Sequence, residues 1–186
     1  EKNEEKEVVF QKTPPMCAYL LCICVGPFTS IQGKTKSGLP IKIYAVNSKK
    51  PLFNEFLKVS IFVVEWFENK FKASFDLPHL QIVSHNGFRH YAMENYGLIT
   101  CPDESEWMRI DGKFVITHEI IHQWFGDSVS IKWWDSIWLN EGFASFLEYI
   151  IMEEYGYDGD IWLKFTHFKS ANALTYFDNG VILLDD

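Results

Sequence analysis

Apolar side chains recur every three or four positions between Pro51 and Phe71, which is the spacing of an amphipathic helix. We expect the apolar face to pack into a core, and the residues on or near that face are Phe53, Phe56, Leu57, Ile61, Val64 and Phe67. Short β-prone runs flank this helix at 41–46 and 80–85. The pattern therefore predicts a helix packed on a small sheet.

Two further helices are predicted in the second half of the chain. The first follows a cap at Asp111 and is stopped by Gly126, and the second runs from a cap at Asp135 or Ser136 to about Tyr155. We expect the second helix to pack inward through an apolar stripe made of Leu139, Phe143, Phe146, Leu147 and Ile150.

The two ends of the chain carry weaker patterns. Residues 8–28 alternate or run apolar around a proline pair, which predicts strands that end a β-rich unit near Phe28. Residues 158–178 predict one more helix, and its buried side is formed by Trp162, Phe165, Phe168 and Leu174. With 186 residues, of which 47% are hydrophobic and 17% aromatic, the chain can bury a sizeable core in one domain or slightly more.

Charge and cysteine usage narrow the range of partners and compartments. A net charge of -8 argues against nucleic acid or an anionic membrane, since both require a basic face. The longest apolar run, Ala18 to Val25, is far shorter than the roughly 20 residues of a membrane span. Four cysteines without CxxC spacing, and the lack of an Asn-x-Ser/Thr signal, favour a reducing and hence cytoplasmic setting.

The candidate chemistry is concentrated in one helix of the second half. Side chains four positions apart on a helix differ by about 40° in direction and about 6 Å in rise, so His118 and His122 can share one small ion. Glu119 lies about 60° around the helix from His122, which is too close in sequence for a comfortable third ligand but suits a general base that touches a water.

A catalytic zinc ion takes three protein ligands, and Glu141 on the next helix is the best candidate for the third. A carboxylate beside an apolar stripe is costly unless it is paired or coordinated. The alternatives are a solvated helix face around His118 and His122, and a Glu141 that is only solvated or capping. We expect no ligand role for the other histidines, which are His79, His85, His90 and His167.

Four segments together resemble the zinc aminopeptidases of the gluzincin class, the family of aminopeptidase N and the puromycin-sensitive aminopeptidase. They are AMENYGLIT, HEIIHQWFGDSVS, WW and WLNEGFASFLEY, with the family's HExxH-x18-E spacing from His122 to Glu141. The resemblance implies an α+β fold with a thermolysin-like zincin catalytic domain. It assigns 1–30 to the end of a β-rich N-terminal domain and 31–186 to a catalytic domain that is incomplete at its C-terminus.

The same resemblance implies a zinc metallo-aminopeptidase that removes N-terminal residues from peptides with a free N-terminus. One Zn²⁺ ion is held by His118, His122 and Glu141, and Glu119 is the catalytic base. Glu94 grips the substrate's free amine, with the backbone of Ala92 and Met93 aligning the substrate and Asn95 completing the binding segment. The family includes membrane-anchored ectoenzymes, which is the alternative to a cytoplasmic location.

Several departures from the family pattern bear on activity. Tyr91 stands where the motif has a leading glycine, and a side chain there crowds the substrate channel. The connection from Asn95 to His118 is shorter than is usual in the family. The family's oxyanion-stabilising tyrosine falls beyond Asp186, and Tyr176 is not its equivalent. These features predict weak or absent activity in an incomplete chain. They leave open the alternative of a catalytically dead, zincin-like chain that binds peptides or regulates another protein. A broader HExxH endopeptidase is a further alternative, which the AMEN segment disfavours because it implies binding of a free amine.

Overall fold

A four-stranded mixed sheet organises the first half of the molecule. The computed structural model describes residues 7–46, 50–85, 92–102 and 111–167. The strands, in their spatial order, are β1 (Thr29–Lys34), β2 (Pro40–Ala45), β3 (Leu80–Ser84) and β4 (Leu98–Cys101). β1 and β2 are antiparallel, whereas β2, β3 and β4 run parallel. The strands predicted at 41–46 and 80–85 are confirmed as the central pair of this sheet.

Helix α1 (Lys50–Phe71) links β2 to β3 and covers one face of the sheet. It buries Phe53, Phe56, Val64 and Phe67, as its periodicity predicts, together with Val59 and Val63. Leu57 and Ile61 are partly buried and pack against the same core. The helix approaches β1 so closely that a Cβ added at Gly33 would lie 2.9 Å from Ile61 Cδ1. The absence of a side chain at Gly33 therefore allows the helix to sit on the strand.

Three helices complete the described structure: α2 (Gly112–His122), α3 (Ile137–Tyr155) and α4 (Ile161–Phe165). α2 and α3 pack against each other and both contact α1, so the core is continuous from the sheet to the last helix. α3 ends at Tyr155, as predicted, because Gly156 adopts a left-handed φ of 84° and closes the last turn. The molecule is thus a mixed α+β structure.

The apolar stripe predicted for α3 is wrong in three of its five members. Leu139, Phe143 and Phe146 have exposed fractions of 38%, 42% and 45%. The helix buries Leu147 as predicted, together with Ala144, Ile151 and Met152, which lie to one side of the predicted stripe. Apolar side chains occur nearly all round this helix, so the apolar pattern alone does not fix its rotation about its own axis.

The predicted helix caps are also wrong in their chemistry, although the helix starts are close. Asp111 precedes α2 but makes no cap hydrogen bond, because its carboxylate accepts from the Tyr157 hydroxyl and, at 3.3 Å, from Lys164 Nζ. Ser136 precedes α3, also without capping it, and donates instead to Asp135 at 3.1 Å. α2 itself ends at His122, four residues before Gly126.

The described ends of the chain differ from the sequence-based expectation. Residues 7–28 contain one 3₁₀ turn, Ala18–Leu20, and no strand, because no other segment in the described ranges pairs with their backbone as a strand. In α4, Ile161 is buried and Phe165 partly so, whereas Trp162 is 37% exposed. Phe168 and Leu174 lie outside the described residues. None of the helices in the described ranges combines the length and apolar character of a membrane span.

Candidate metal centre

Helix α2 directs two imidazoles at one point. His118 and His122 are one turn apart, and their Nε2 atoms are 3.0 Å from each other. Because zinc–nitrogen bonds are about 2.0–2.1 Å long, two nitrogens at this separation can share one ion. His122 is fully buried and His118 is largely buried, so both rings are held in place by packing.

Helix α3 brings a carboxylate to the same point. Glu141 Oε2 lies 3.3 Å from His118 Nε2 and 3.6 Å from His122 Nε2. One ligand atom from each of the three residues can be chosen so that all lie within 4.8 Å of one another. The structure therefore brings together the three residues predicted to hold zinc, although metal binding itself stays a prediction. Glu141 is 52% exposed, so it closes the cluster from the solvent side and not from within an apolar stripe.

Two further hydrogen bonds orient the imidazoles from behind. His118 Nδ1 lies 2.9 Å from Glu148 Oε2, and His122 Nδ1 lies 3.0 Å from the carbonyl oxygen of Phe125. Because a carbonyl only accepts, His122 Nδ1 must carry the proton, which leaves the lone pair of Nε2 for an ion. Metal-binding histidines in general donate their second nitrogen to a carboxylate or a carbonyl in this way.

Glu148 was missed by the sequence reasoning. It lies on α3 seven residues, or about two helical turns, after Glu141, and it is buried. The available signal was an acidic residue inside the apolar run FLEYII, since a buried carboxylate needs a partner.

An aromatic cluster holds the turn that supplies the Phe125 carbonyl. Phe67 of α1 stacks on Trp124 with ring centroids 4.4 Å apart, and its edge meets Phe125 at 5.8 Å. Phe143 of α3 stacks on the Phe125 ring at 4.9 Å. The exposed Phe143 therefore fixes the residue whose carbonyl orients His122.

The electrostatics of the cluster favour a cation. Burial by itself lowers the pKa of His118, but the hydrogen bonds to Glu141 and Glu148 outweigh it and raise that pKa to about 10. The two histidines in turn hold the pKa of Glu141 far below its usual range. Two imidazole nitrogens and a carboxylate oxygen are the donor types that zinc accepts in catalytic sites, so the residues fit the ion that the sequence predicts.

Glu119 lies beside this cluster without joining it. It is buried, and burial raises its pKa to about 7 against the opposing effect of the two histidines. The charges of Glu94 and Glu141 raise the pKa of Glu119 further. A carboxyl that titrates near neutrality can take up and release a proton, as a general base and acid must.

Residues 92–101, which carry the AMEN segment, form a hairpin. Met93 pairs antiparallel with Thr100 of β4 through hydrogen bonds of 2.9 and 3.0 Å, and the chain reverses at Tyr96 and Gly97. Met93 therefore pairs its backbone N–H and carbonyl with β4, and the role of this segment in aligning a substrate stays a prediction. Tyr91 lies outside the described residues.

The other three residues of the AMEN segment have different surroundings. Asn95 is buried and donates from Nδ2 to Thr100 Oγ1 at 3.0 Å, so it supports the hairpin. Ala92 and Glu94 are half-buried. The carbonyl of Glu94 accepts a hydrogen bond from Gln123 Nε2 at 2.8 Å, which ties the segment to α2.

Asp127 is a second acidic residue that the sequence reasoning missed. It is 3% exposed, and among the described residues neither carboxylate oxygen has a hydrogen-bond partner. Burial raises its pKa to about 9, with Glu94 and Glu119 adding to the effect. A neutral carboxylic acid is therefore the favoured form in the folded chain at neutral pH.

A short N-terminal turn lies near the same acidic groups. Leu20 is fully buried, and the ring of Tyr19 lies 5.2 Å from that of Trp134, just before α3. Burial raises the pKa of Tyr19 to about 12, with Glu94, Asp127 and Glu141 among the charges that add to it. Tyr19 is therefore a protonated phenol beside the site.

Of the remaining histidines, those that the structure describes do not join the cluster. His79 and His167 are exposed and His85 is half-buried, while His90 lies outside the described residues. Within the ranges that the structure describes, His118, His122 and Glu141 form the one group of three or more potential metal ligands.

Sequence comparisons identify related proteins. The glutamyl aminopeptidase of Rattus norvegicus is 37% identical over 159 residues, which cover 80% of this chain and 17% of that protein. The puromycin-sensitive aminopeptidase of Caenorhabditis elegans is 33% identical over 181 residues, covering 92% of this chain and 19% of that protein. The aminopeptidase N of Lactococcus lactis subsp. lactis (strain IL1403) is 35% identical over 176 residues, covering 89% and 21%.

The chain thus spans about a fifth of the length of the curated relatives it matches. The Peptidase family M1 domain matches residues 56–178, a stretch that includes most of α1, all of β3 and β4, and the residues His118, Glu119, His122 and Glu141. The resemblance that the sequence motifs indicate is confirmed by this match, and the chain belongs to peptidase family M1.

Proposed function

We propose that this chain carries the catalytic core of a zinc-dependent aminopeptidase, which removes N-terminal residues from peptides. The observation that carries the proposal is the convergence of His118, His122 and Glu141 at one point, with Glu119 beside them. Zinc, when bound, polarises the scissile carbonyl and lowers the pKa of a water in the site.

The protein's own groups prepare that cluster for the metal. Glu148 and the Phe125 carbonyl hold the two imidazoles with their Nε2 atoms turned inward. Rings fixed in this way lose little conformational freedom when an ion binds.

Glu119 is the proposed general base. Its carboxylate accepts a proton from the attacking water and then gives that proton to the amine of the departing peptide. Burial supports this assignment, because it brings the pKa of Glu119 towards neutrality and so suits both transfers.

Glu94 is proposed to bind the free α-ammonium of the substrate. A buried ammonium needs an opposite charge, and a carboxylate at a fixed distance from the reacting carbonyl selects the first peptide bond. In this proposal the backbone of Ala92 and Met93 helps to align the bound residue, while Asn95 supports the hairpin that carries them.

At the level of the fold, we propose that 31–186 belongs to a thermolysin-like zincin domain and that 1–30 ends a β-rich domain before it. The support is the mixed sheet lying above two packed helices, together with the site formed between those helices. Within 7–28, the exposed apolar residues Val9, Phe10, Leu21, Ile23 and Val25 agree with a segment that packs against further structure.

A pair of substrates tests the proposed function. The zinc-loaded chain is assayed with an aminoacyl chromogenic substrate and with its N-acetylated form, each with and without a zinc chelator. We expect hydrolysis of the free-amine substrate alone, loss of that activity with chelator, and recovery with added zinc. Glu94→Gln serves as the matched variant, because it keeps the side chain's shape and removes the charge that binds the amine.

Other outcomes identify the competing functions. Cleavage of the acetylated substrate at a similar rate identifies an endopeptidase and contradicts the role of Glu94. Zinc binding without hydrolysis of either substrate identifies a peptide-binding or regulatory chain, the alternative that Tyr91 favours by standing where the family motif has glycine.

A further inference from the structure

The side chain of Gln123 joins the two halves of the candidate site. It follows His122 directly in sequence and is 1% exposed. Its Oε1 accepts a hydrogen bond from the backbone N–H of Gly97 at 2.8 Å, and its Nε2 donates to the carbonyl of Glu94 at 2.8 Å. One amide therefore holds the hairpin that carries Glu94 against the end of the helix that carries the histidines.

The chemistry of this clamp requires an amide of this length. Gly97 offers a donor and Glu94 offers an acceptor, so a matching side chain must present both kinds of group at once. Methionine has a similar length and provides neither bond, whereas glutamate keeps an acceptor for Gly97 but cannot donate to Glu94 when it is ionised.

Other contacts shape the hairpin itself. Its turn is closed by a hydrogen bond of 2.9 Å from Leu98 N to Asn95 O, and Gly97 adopts a left-handed φ of 76°. A Cβ at Gly97 would lie 2.5 Å from Leu77 Cδ1. These contacts shape the hairpin, its backbone pairing fixes it to β4, and the Gln123 amide ties it to the end of α2.

We propose that Gln123 is a positioning residue that sets the distance between the amine-binding Glu94 and the metal centre. The inference rests on the proposed aminopeptidase function, since it assigns Glu94 the amine. An exopeptidase must place the ammonium at a fixed distance from the reacting carbonyl, and positioning errors of about 1 Å cost about a hundredfold in rate. Gln123 sets that distance because it ties the hairpin that carries Glu94 to the end of the helix that carries His122.

The test measures how much the substrate's amine contributes to binding. The full zinc-loaded chain is titrated with an amino-acid hydroxamate that has a free α-amine and with the same hydroxamate lacking it. Both ligands bind metal through the hydroxamate, so the ratio of their inhibition constants reports the contribution of the amine alone. The zinc content of every variant is measured in parallel.

Three variants give graded expectations. Gln123→Met loses both hydrogen bonds, so we expect the ratio to fall by about ten- to a hundredfold, the range for buried groups left unsatisfied. Zinc content and affinity for the ligand without the amine should change less than about twofold. Gln123→Glu keeps the contact to Gly97 and should give a smaller fall. Trp162→Phe removes a hydrogen bond of 2.8 Å to Glu153, away from the hairpin and from the histidines, and should leave the ratio unchanged.

A second comparison separates positioning from simple support of the fold. In a Glu94→Gln background the amine contribution is already lost, so Gln123→Met should lower the ratio little further. The inference is overturned if Gln123→Met and Gln123→Glu keep the ratio of the parent chain. It is also overturned if they weaken both hydroxamates equally, as a merely structural role predicts. If the parent chain itself shows no preference for the free amine, the proposed function fails first, and that result is visible before any variant is made.

Discussion

Removal of the Glu148 carboxylate should weaken zinc binding without touching a metal ligand. The carboxylate is buried and lies 2.9 Å from His118 Nδ1, so Glu148→Ala takes away a charged hydrogen-bond partner and leaves the imidazole free to turn. Such a hydrogen bond contributes about 1.5–3 kcal/mol, and loss of an outer partner of a metal-binding histidine costs about 10- to 100-fold in affinity. Glu148→Gln should lose less, because its amide oxygen can still accept from Nδ1.

The assay is competition for zinc against a chromophoric chelator at several pH values. Glu148 raises the pKa of His118, so it also tightens the binding of the proton that the metal must displace from this residue. Below this raised pKa, a proton competes with zinc for His118 more strongly in the parent chain than in Glu148→Ala. We expect the affinity deficit of the variant to be greatest near pH 9 and to narrow towards pH 6.

Glu153→Ala is the matched control for this experiment. Glu153 is an exposed glutamate on the same helix, and it accepts a hydrogen bond from Trp162 Nε1 at 2.8 Å, away from the histidines. Its removal should leave zinc affinity unchanged. The reasoning is refuted if Glu148→Ala shows no deficit near pH 9, if the deficit grows as the pH falls, or if Glu153→Ala shows the same loss.

Three other predictions concern catalysis and stability. Glu119→Gln should lower kcat by about 10²- to 10⁴-fold with zinc content intact, and a variant with near-parental kcat would exclude Glu119 as the base. Asp127→Asn should raise the free energy of unfolding, measured by denaturant titration, by up to about 4 kcal/mol at pH 7, because folding raises the carboxyl pKa from 3.8 to about 9. The increase in the free energy of unfolding should appear above about pH 4 and grow as the pH rises. An increase that does not depend on pH, or an equal increase in the variant Asp158→Asn at an exposed position, contradicts this account. Phe67→Ala should cost about 3–5 kcal/mol in the same assay, since Phe67 is buried and stacks on Trp124, and a loss below about 1 kcal/mol would contradict its central place in the core.

The parts of the site that follow from helix geometry were predictable from the sequence. The four-residue spacing of His118 and His122 requires their side chains to share a face wherever the helix lies, and the structure has them there. The position of Glu141 depends on a second helix folding back, which the HExxH-x18-E spacing and the family resemblance anticipated. Its role as a ligand, like those of Glu119 and Glu94, stays a prediction.

The parts that depend on helix rotation and tertiary hydrogen bonds were not predictable. Apolar residues occur nearly all round α3, so the sequence did not show which side of the helix faces the core. It therefore did not show that Phe143 lies against Phe125 at the protein surface. For the same reason, the sequence did not show that Glu148 is buried beside His118. Gln123 reaches across the fold to Glu94 and Gly97, which are distant in sequence, and such pairings have no local signature.

The central claim is that one zinc ion is held jointly by the two histidines of α2 and the glutamate of α3. The most direct measurement is the zinc content of the purified chain and of Glu141→Ala after identical dialysis against a weak chelator. The account predicts close to one zinc ion per parent chain and little or none in the variant. Equal zinc content in the two proteins, or a parent chain that retains none after zinc is supplied, would contradict it.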